Sequence, residues 1–152
     1  MSSFCHAVLA APSQTLEWID LIPEDERSAY LTASSLQDIT HSGPQAQQSA
    51  IGNLREDLDG KEVTIAGFVI PLEGTEAKIT EFLLVPFFGA CIHVPPPPPN
   101  QIIYVKFAHG APITKLWDVV YVTGNLQLES STTDLATTGY LLTADAVDEY
   151  QE

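Results

Sequence analysis

From residue 60 to residue 150 apolar and polar side chains alternate in short runs, the two-residue period of half-buried β-strands. Lys61-Glu-Val63-Thr-Ile65-Ala-Gly67-Phe68-Val69-Ile70 is the first run, and Pro71 is expected to close it. Residues 79–85 form a second, stopped by Pro86. Residues 100–107, 116–129 and 138–150 form a third, fourth and fifth. Gly67 interrupts the first run, where a bulge or sharp coil is expected, and Gly124 the fourth, where a bend is expected. Five strands, two coiled at glycine and with no long helix after the second, predict a mostly β fold. The form expected is a five-stranded OB-like Greek-key barrel with an N-terminal helical extension. Most OB barrels place a helix between strands three and four, where this chain offers only residues 108–115. A β-sandwich or another small barrel is the alternative.

Before residue 60 the spacing changes. Residues 15–40 recur at helical intervals, and Pro23-Glu-Asp-Glu-Arg27 has the signs of a helix start: proline in the first turn and acids at the positive end of the dipole. Trp18 and Leu21 are expected to anchor this stretch on the barrel. Residues 40–53 are polar, with Gly and Pro, and read as a flexible loop. Residues 53–60 read as a helical turn entering a tight turn. The expected organisation is 1–14 as a disordered segment or signal-peptide remnant, 15–59 as a helical extension and loop packed on the barrel, and 60–150 as the barrel. Ala7-Val-Leu-Ala-Ala11 resembles the end of a signal peptide, although no basic n-region precedes it.

Charge narrows the partners. Six Lys and Arg stand against twenty Asp and Glu, a formal charge of −14, while 45% hydrophobic residues supply a real core. Nucleic acid, whose phosphates need clustered Lys or Arg, is excluded as a partner, although single strands are common ligands of OB barrels. An anionic membrane surface is disfavoured for the same reason. No apolar stretch reaches the ~18 residues of a membrane span. The acidic balance suits a cation or a basic partner.

The chemistry concentrates in Pro86-Phe-Phe-Gly-Ala-Cys91-Ile-His93-Val-Pro-Pro-Pro-Pro-Pro99-Asn-Gln101. In an extended chain Cys91 and His93 project to one face, roughly 6.5–7 Å apart at the backbone. A thiolate sulfur and an imidazole nitrogen so placed can share one soft divalent ion, such as Zn²⁺, at about 2.0–2.3 Å from each. Two ligands do not complete a site. His109, Glu81, Asp118 and His41 are candidate third ligands, none fixed by spacing. The plainer readings are a buried packing thiol for Cys91, a hydrogen-bonded structural imidazole for His93 and a solvated loop histidine for His109. Glu81 has its own plainer reading, a pair with Lys78 or Lys106. Cys5 lies in the N-terminal segment, so Cys91 is expected to be a free thiol.

Pro95, Pro96, Pro97, Pro98 and Pro99 form a stiff polyproline II strut of about 15 Å, which cannot be a central strand. With Phe87 and Phe88 beside it, the strut is a candidate docking edge. Those rings are otherwise core and cover for the barrel, as is Tyr104. A nucleophilic Cys91 with His93 as base would need an orienting group and an oxyanion hole, and the sequence offers neither, so no catalysis is expected.

Three segments together, Gly67-Phe-Val-Ile-Pro-Leu-Glu73, Glu81 through Gln101, and Val122-Thr-Gly-Asn-Leu126, resemble the signature of a bacterial domain-of-unknown-function family. The resemblance covers residues ~16–150 and is most specific in the Gly-Ala-Cys-Ile-His-x-Pro-Pro-Pro-Pro block. That family consists mostly of exported proteins and lipoproteins, often encoded beside ABC-type export or metal-uptake systems. The resemblance implies an exported or periplasmic accessory protein with zinc or another transition metal as cargo. A membrane transporter subunit or a second copy of the chain is then the expected partner.

Overall fold

The computed structural model describes residues 13–37, 53–75, 78–87, 90, 97–111, 118–133 and 135–150, the side chains of 33–37 excepted. The strands are β1 (Gln14–Leu16), β2 (Lys61–Gly74), β3 (Ile79–Val85), β4 (Ile103–Ala111), β5 (Val119–Thr132) and β6 (Thr137–Glu149). Strand order is β1-β2-β3-β4-β6-β5, and β2 also pairs with β5. That second pairing closes β2 to β6 into a five-stranded barrel with β1 as an added strand. β4 and β6 run parallel, the remaining barrel pairs antiparallel. This is the OB-like barrel that the alternation predicts.

The period-two pattern fills the barrel. Val63, Ile65 and Val69 of β2 meet Phe82 and Leu84 of β3, Val105 of β4, Val122 and Leu126 of β5, and Tyr140 and Leu142 of β6, all buried. Each such side chain contributes about 1.5–3 kcal/mol on leaving water. A second apolar cluster lies on the outside of β2 and β3. There Ile70, Leu83 and Val85 are covered by Ala90, Ile102 and Ala136.

Two details differ from the sequence pattern. β2 does not stop at Pro71 but continues to Gly74. Val69 N–H, the last in β2 with a described partner on the β5 side, donates to Asp118 O at 2.9 Å. Pro71, two residues on, directs its missing donor the same way, beyond the last β2–β5 pair Phe68↔Val119, so the proline removes no ladder bond among the described residues. The extension also begins as a strand, not a helix: β1 pairs in parallel with Val63–Ile65. Short 3-10 turns follow at Trp18–Leu21 and Glu24–Glu26, and α1 (Arg27–Gln37) starts only at Arg27. The reason is tertiary. Leu16, Leu21 and Ile22 are buried on the barrel, and a helix from residue 15 would turn part of that apolar cluster to water. Residues 13–22 therefore form a strap. The expected loop over 40–53 and the expected terminal segment lie almost wholly outside the described residues, as do residues 112–117 between β4 and β5.

Glycine at 67 admits the strap. A Cβ there would lie 2.9 Å from Trp18 Cζ2 and 2.8 Å from Leu84 Cγ. The seated indole donates Nε1–H to Ala66 O at 2.7 Å, one residue beyond the last β1–β2 pair.

Between Thr123↔Ala146 and Gly124↔Ala144 the β5–β6 register slips, leaving Asp145 as a bulged residue. Its carboxylate hydrogen-bonds Glu62 of β2. That bond first, then burial and the charge of Asp145, raises the Glu62 pKa. Glu62 therefore holds its proton more tightly in the fold. Its stabilising contribution is full below the ordinary carboxylate value and is lost as pH rises through the raised one. Glu62→Gln keeps a donor to Asp145 at every pH. It should raise stability at pH 7 by roughly 0.3 kcal/mol, a small figure because the pair is solvated. Urea unfolding at pH 7 and pH 3 checks this: the gain should vanish at pH 3, and a loss at pH 7 would contradict it.

Candidate functional site

The connection between β3 and β4 is pinned at both ends. Ala90, 0% exposed, packs into the outer cluster with Leu83 and Val85. Pro97 is buried as well. Between them stand Cys91 and His93, which with Phe88, Pro95 and Pro96 lie outside the described residues. Phe87 is 40% exposed.

The far end of the proline run is structural. Pro98 caps a 3-10 turn, Pro99–Gln101, and its carbonyl accepts Gln101 N–H at 2.8 Å. The turn presses Pro99 O against β6, where a Cβ on Gly139 would come within 2.8 Å of it. The turn then projects two buried amides into the strap. Gln101 Nε2 donates to Trp18 O at 2.8 Å, and Asn100 Nδ2 donates to Asn53 O at 3.0 Å. Tyr140 completes the clamp from β6. Its hydroxyl donates to Leu21 O and accepts Arg55 N–H, each at 2.8 Å. Asn53 Nδ2 reaches Glu26 Oε1 at 2.7 Å. Glu26 Oε2 and Asn100 Oδ1 are buried without hydrogen-bond partners.

Sequence reasoning missed this clamp. Asn100 and Gln101 stand out only as amides between five prolines and an apolar strand, and nothing local names their acceptors. Tyr140 reads as one more strand aromatic.

The predicted third ligands separate. Glu81 shares the outer face of β3 with Leu83 and Val85, opposite Lys106 of β4 and Glu73 of β2. Its partner is the Tyr104 hydroxyl. Burial first, then the Glu81 charge, that hydrogen bond and Glu73 push the Tyr104 pKa up. The Lys106 ammonium stands 5.9 Å from the Tyr104 ring centre. His109 instead follows the inward parity of Val105 and Phe107, at the exposed end of β4, with its ring edge-on to Phe107 at 5.7 Å between centres. Glu81 and His109 therefore belong to opposite faces of one sheet and do not converge. Among the described residues no three His, Cys, Asp or Glu side chains gather as a metal site. The Asp118 carbonyl accepts Val69 N–H, and His41 lies outside the described residues.

A family model described as "Protein of unknown function (DUF3299)" matches residues 18–149. The chain belongs to the DUF3299 family. A DUF3299-family protein from Pseudomonas aeruginosa PAO1, known from its crystal structure, is 38% identical. The match covers 93% of this chain and 99% of that one, with a TM-score of 0.74. The family model takes in the second part of the strap, from Trp18, together with the barrel. No curated protein matches the chain.

Proposed function

We propose that this DUF3299 protein is a non-catalytic binding protein that takes up a transition-metal cation, with zinc favoured, through Cys91 and His93. The observation that carries the reading is the burial of Ala90 and Pro97 at either side of that pair. A barrel packed solid with side chains leaves ligand chemistry to its outer surface, and here both anchors of the Cys-x-His stretch are held on the framework. Entropy otherwise lost on ordering two ligands is reduced when the residues at either end of their stretch are held. The surplus of acids raises the local concentration of cations.

The outer cluster favours Glu81 over His109 as the third ligand, because Ala90 packs on the face to which Glu81 belongs. In this reading zinc displaces the Tyr104 hydroxyl from the Glu81 carboxylate. The family resemblance supports an exported or periplasmic setting in which the bound ion is passed to or from a transport complex.

Zinc titration of the chelator-stripped protein tests this. One equivalent should bind at micromolar concentration or tighter. Cys91→Ser and His93→Ala should each abolish that binding, Glu81→Gln should weaken it by about tenfold or more, and His109→Ala should leave it unchanged. A wild-type protein that takes up no zinc would retire the metal reading.

A second reading keeps the binding role but not the ion. Phe87 stays exposed beside Pro86, and with Phe88, Pro95 and Pro96 it forms the docking edge for a transporter subunit or a second copy. Pro97, Pro98 and Pro99 then act as the anchored root of that edge. In that case association survives Cys91→Ser and fails in Phe87→Ser.

A further inference from the structure

Arg27 and Arg55, the two arginines of the chain, line one open cavity of about 600 Å³ between the start of α1 and the segment ahead of β2. That volume falls within the range of small-ligand sites. The two guanidinium groups are in different states. Arg55 is fully engaged: Nη1 donates to Asp20 O at 2.8 Å, while Nε and Nη2 grip the Asp57 carboxylate side by side. Among the described residues Arg27 donates only Nε–H, to Ile22 O at 3.0 Å, which holds the guanidinium in place. The ion pair of Arg55 with Asp57 is the one found among the described residues. Arg27 thus has no carboxylate partner among the described residues, although Glu24 lines the same cavity three residues before it.

We propose that this cavity binds a small zwitterion of the α-amino-acid type. Its carboxylate lies on the free edge of Arg27, its ammonium faces Glu24 and Glu56, and its aliphatic part rests on Pro23 and Leu54. A guanidinium edge with two free N–H donors matches a carboxylate bidentately. Charge selects against the alternatives. A plain anion, and a phosphate more so, meets Glu24, Glu56 and the formal charge of −14. A plain cation leaves Arg27 unpaired and is repelled by it. A ligand carrying both charges satisfies each side at once. This site uses none of the residues assigned to the metal, so it stands or falls separately.

The test is titration of the ¹⁵N-labelled full chain with L-leucine, followed by amide chemical shifts. Saturable shifts should centre on residues 24–27 and 54–57. Leucinamide, which lacks the carboxylate, and 4-methylpentanoate, which lacks the ammonium, should each bind at least about tenfold more weakly, a difference of about 1.4 kcal/mol. Arg27→Gln should remove the response, and Glu24→Gln, an exposed change that leaves the fold alone, should weaken it by about tenfold. The proposal is overturned by no shifts up to about 50 mM leucine, well beyond a millimolar dissociation constant. It is equally overturned by a 4-methylpentanoate response equal to that of leucine, or by wild-type binding in a folded Arg27→Gln or Glu24→Gln variant.

Discussion

Gly124→Ala is expected to lower stability by about 3 kcal/mol, a large fraction of what holds a domain of this size. A methyl group there would stand 2.7 Å from Ala144 Cα and 2.8 Å from the carbonyl carbon of Thr143. Both are backbone atoms of β6, so no side-chain rotation can clear them, and the strand itself must move. The strain falls where β5 and β6 pair and where the bulge places Asp145 over Glu62. Moving β6 outward also disturbs Leu142, its buried neighbour. Urea unfolding measures the loss. A change below about 1 kcal/mol would mean that β6 gives way easily and that the bulge is soft.

Tyr140→Phe should cost about 2–3 kcal/mol although it removes one oxygen atom. That oxygen serves two chain segments, donating to Leu21 O in the strap and accepting from Arg55 N–H ahead of β2. Its ring is fully buried, and Leu21 is 0% exposed, so the carbonyl and the amide left behind find no ready substitute partners. The effect should concentrate in the strap. Hydrogen exchange of residues 14–22 should accelerate more than that of β5, since Tyr140 is, among the described residues, the one clamp at Leu21 that comes from a barrel strand's side chain, beside the guanidinium contacts of Arg55 on Asp20 and Arg27 on Ile22.

Alkaline pH supplies a second readout. Burial, the largest cause, pushes the Tyr140 pKa above its ordinary value. A phenol with a raised folded-state pKa contributes its stability fully below pH 10 and loses it as pH climbs through the raised value. Tyr30 and Tyr104 are also raised by burial, so the wild type should weaken above about pH 10 and the variant less steeply. Equal alkaline limbs in the two proteins, or a loss below about 0.5 kcal/mol at pH 7, would show that Tyr140 does not clamp the strap.

The strands were legible because a half-buried strand writes its burial into every second residue, and no distant contact is needed to read it. Val63, Ile65 and Val69 announce β2, and Val120, Val122 and Leu126 announce β5. Gly67 and Gly124 were readable as special positions, though not for their reasons: one leaves room for an indole 49 residues earlier in the chain and the other for a neighbouring backbone. The strap was misread as helix because Leu16, Trp18, Leu21 and Ile22 are dense enough to satisfy either period. The candidate site was legible as a composition, Cys91-x-His93 before five prolines, but its framework was not. Whether Glu81 or His109 could join that pair depends on which side of the sheet each faces, and the register shift opposite Ile79 and Glu81, where Lys106 to Ala111 carries the extra residues, breaks the simple count along β4.

What the sequence alone determined, then, is what local chemistry can carry: the five strands and their order of appearance, the formal charge of −14, and a cysteine and histidine two positions apart. Tertiary structure decided what depends on distant partners. The open flank of β2 made a strand of residues 14–16, β6 supplied the hydroxyl that ties Leu21 to Arg55, and the 3-10 turn after Pro98 made Asn100 and Gln101 a clamp. Each is a hydrogen bond or close contact between residues dozens of positions apart, in which at least one partner is a backbone atom common to every residue type. A partner of that kind leaves no trace in the amino-acid string until the fold brings it within reach.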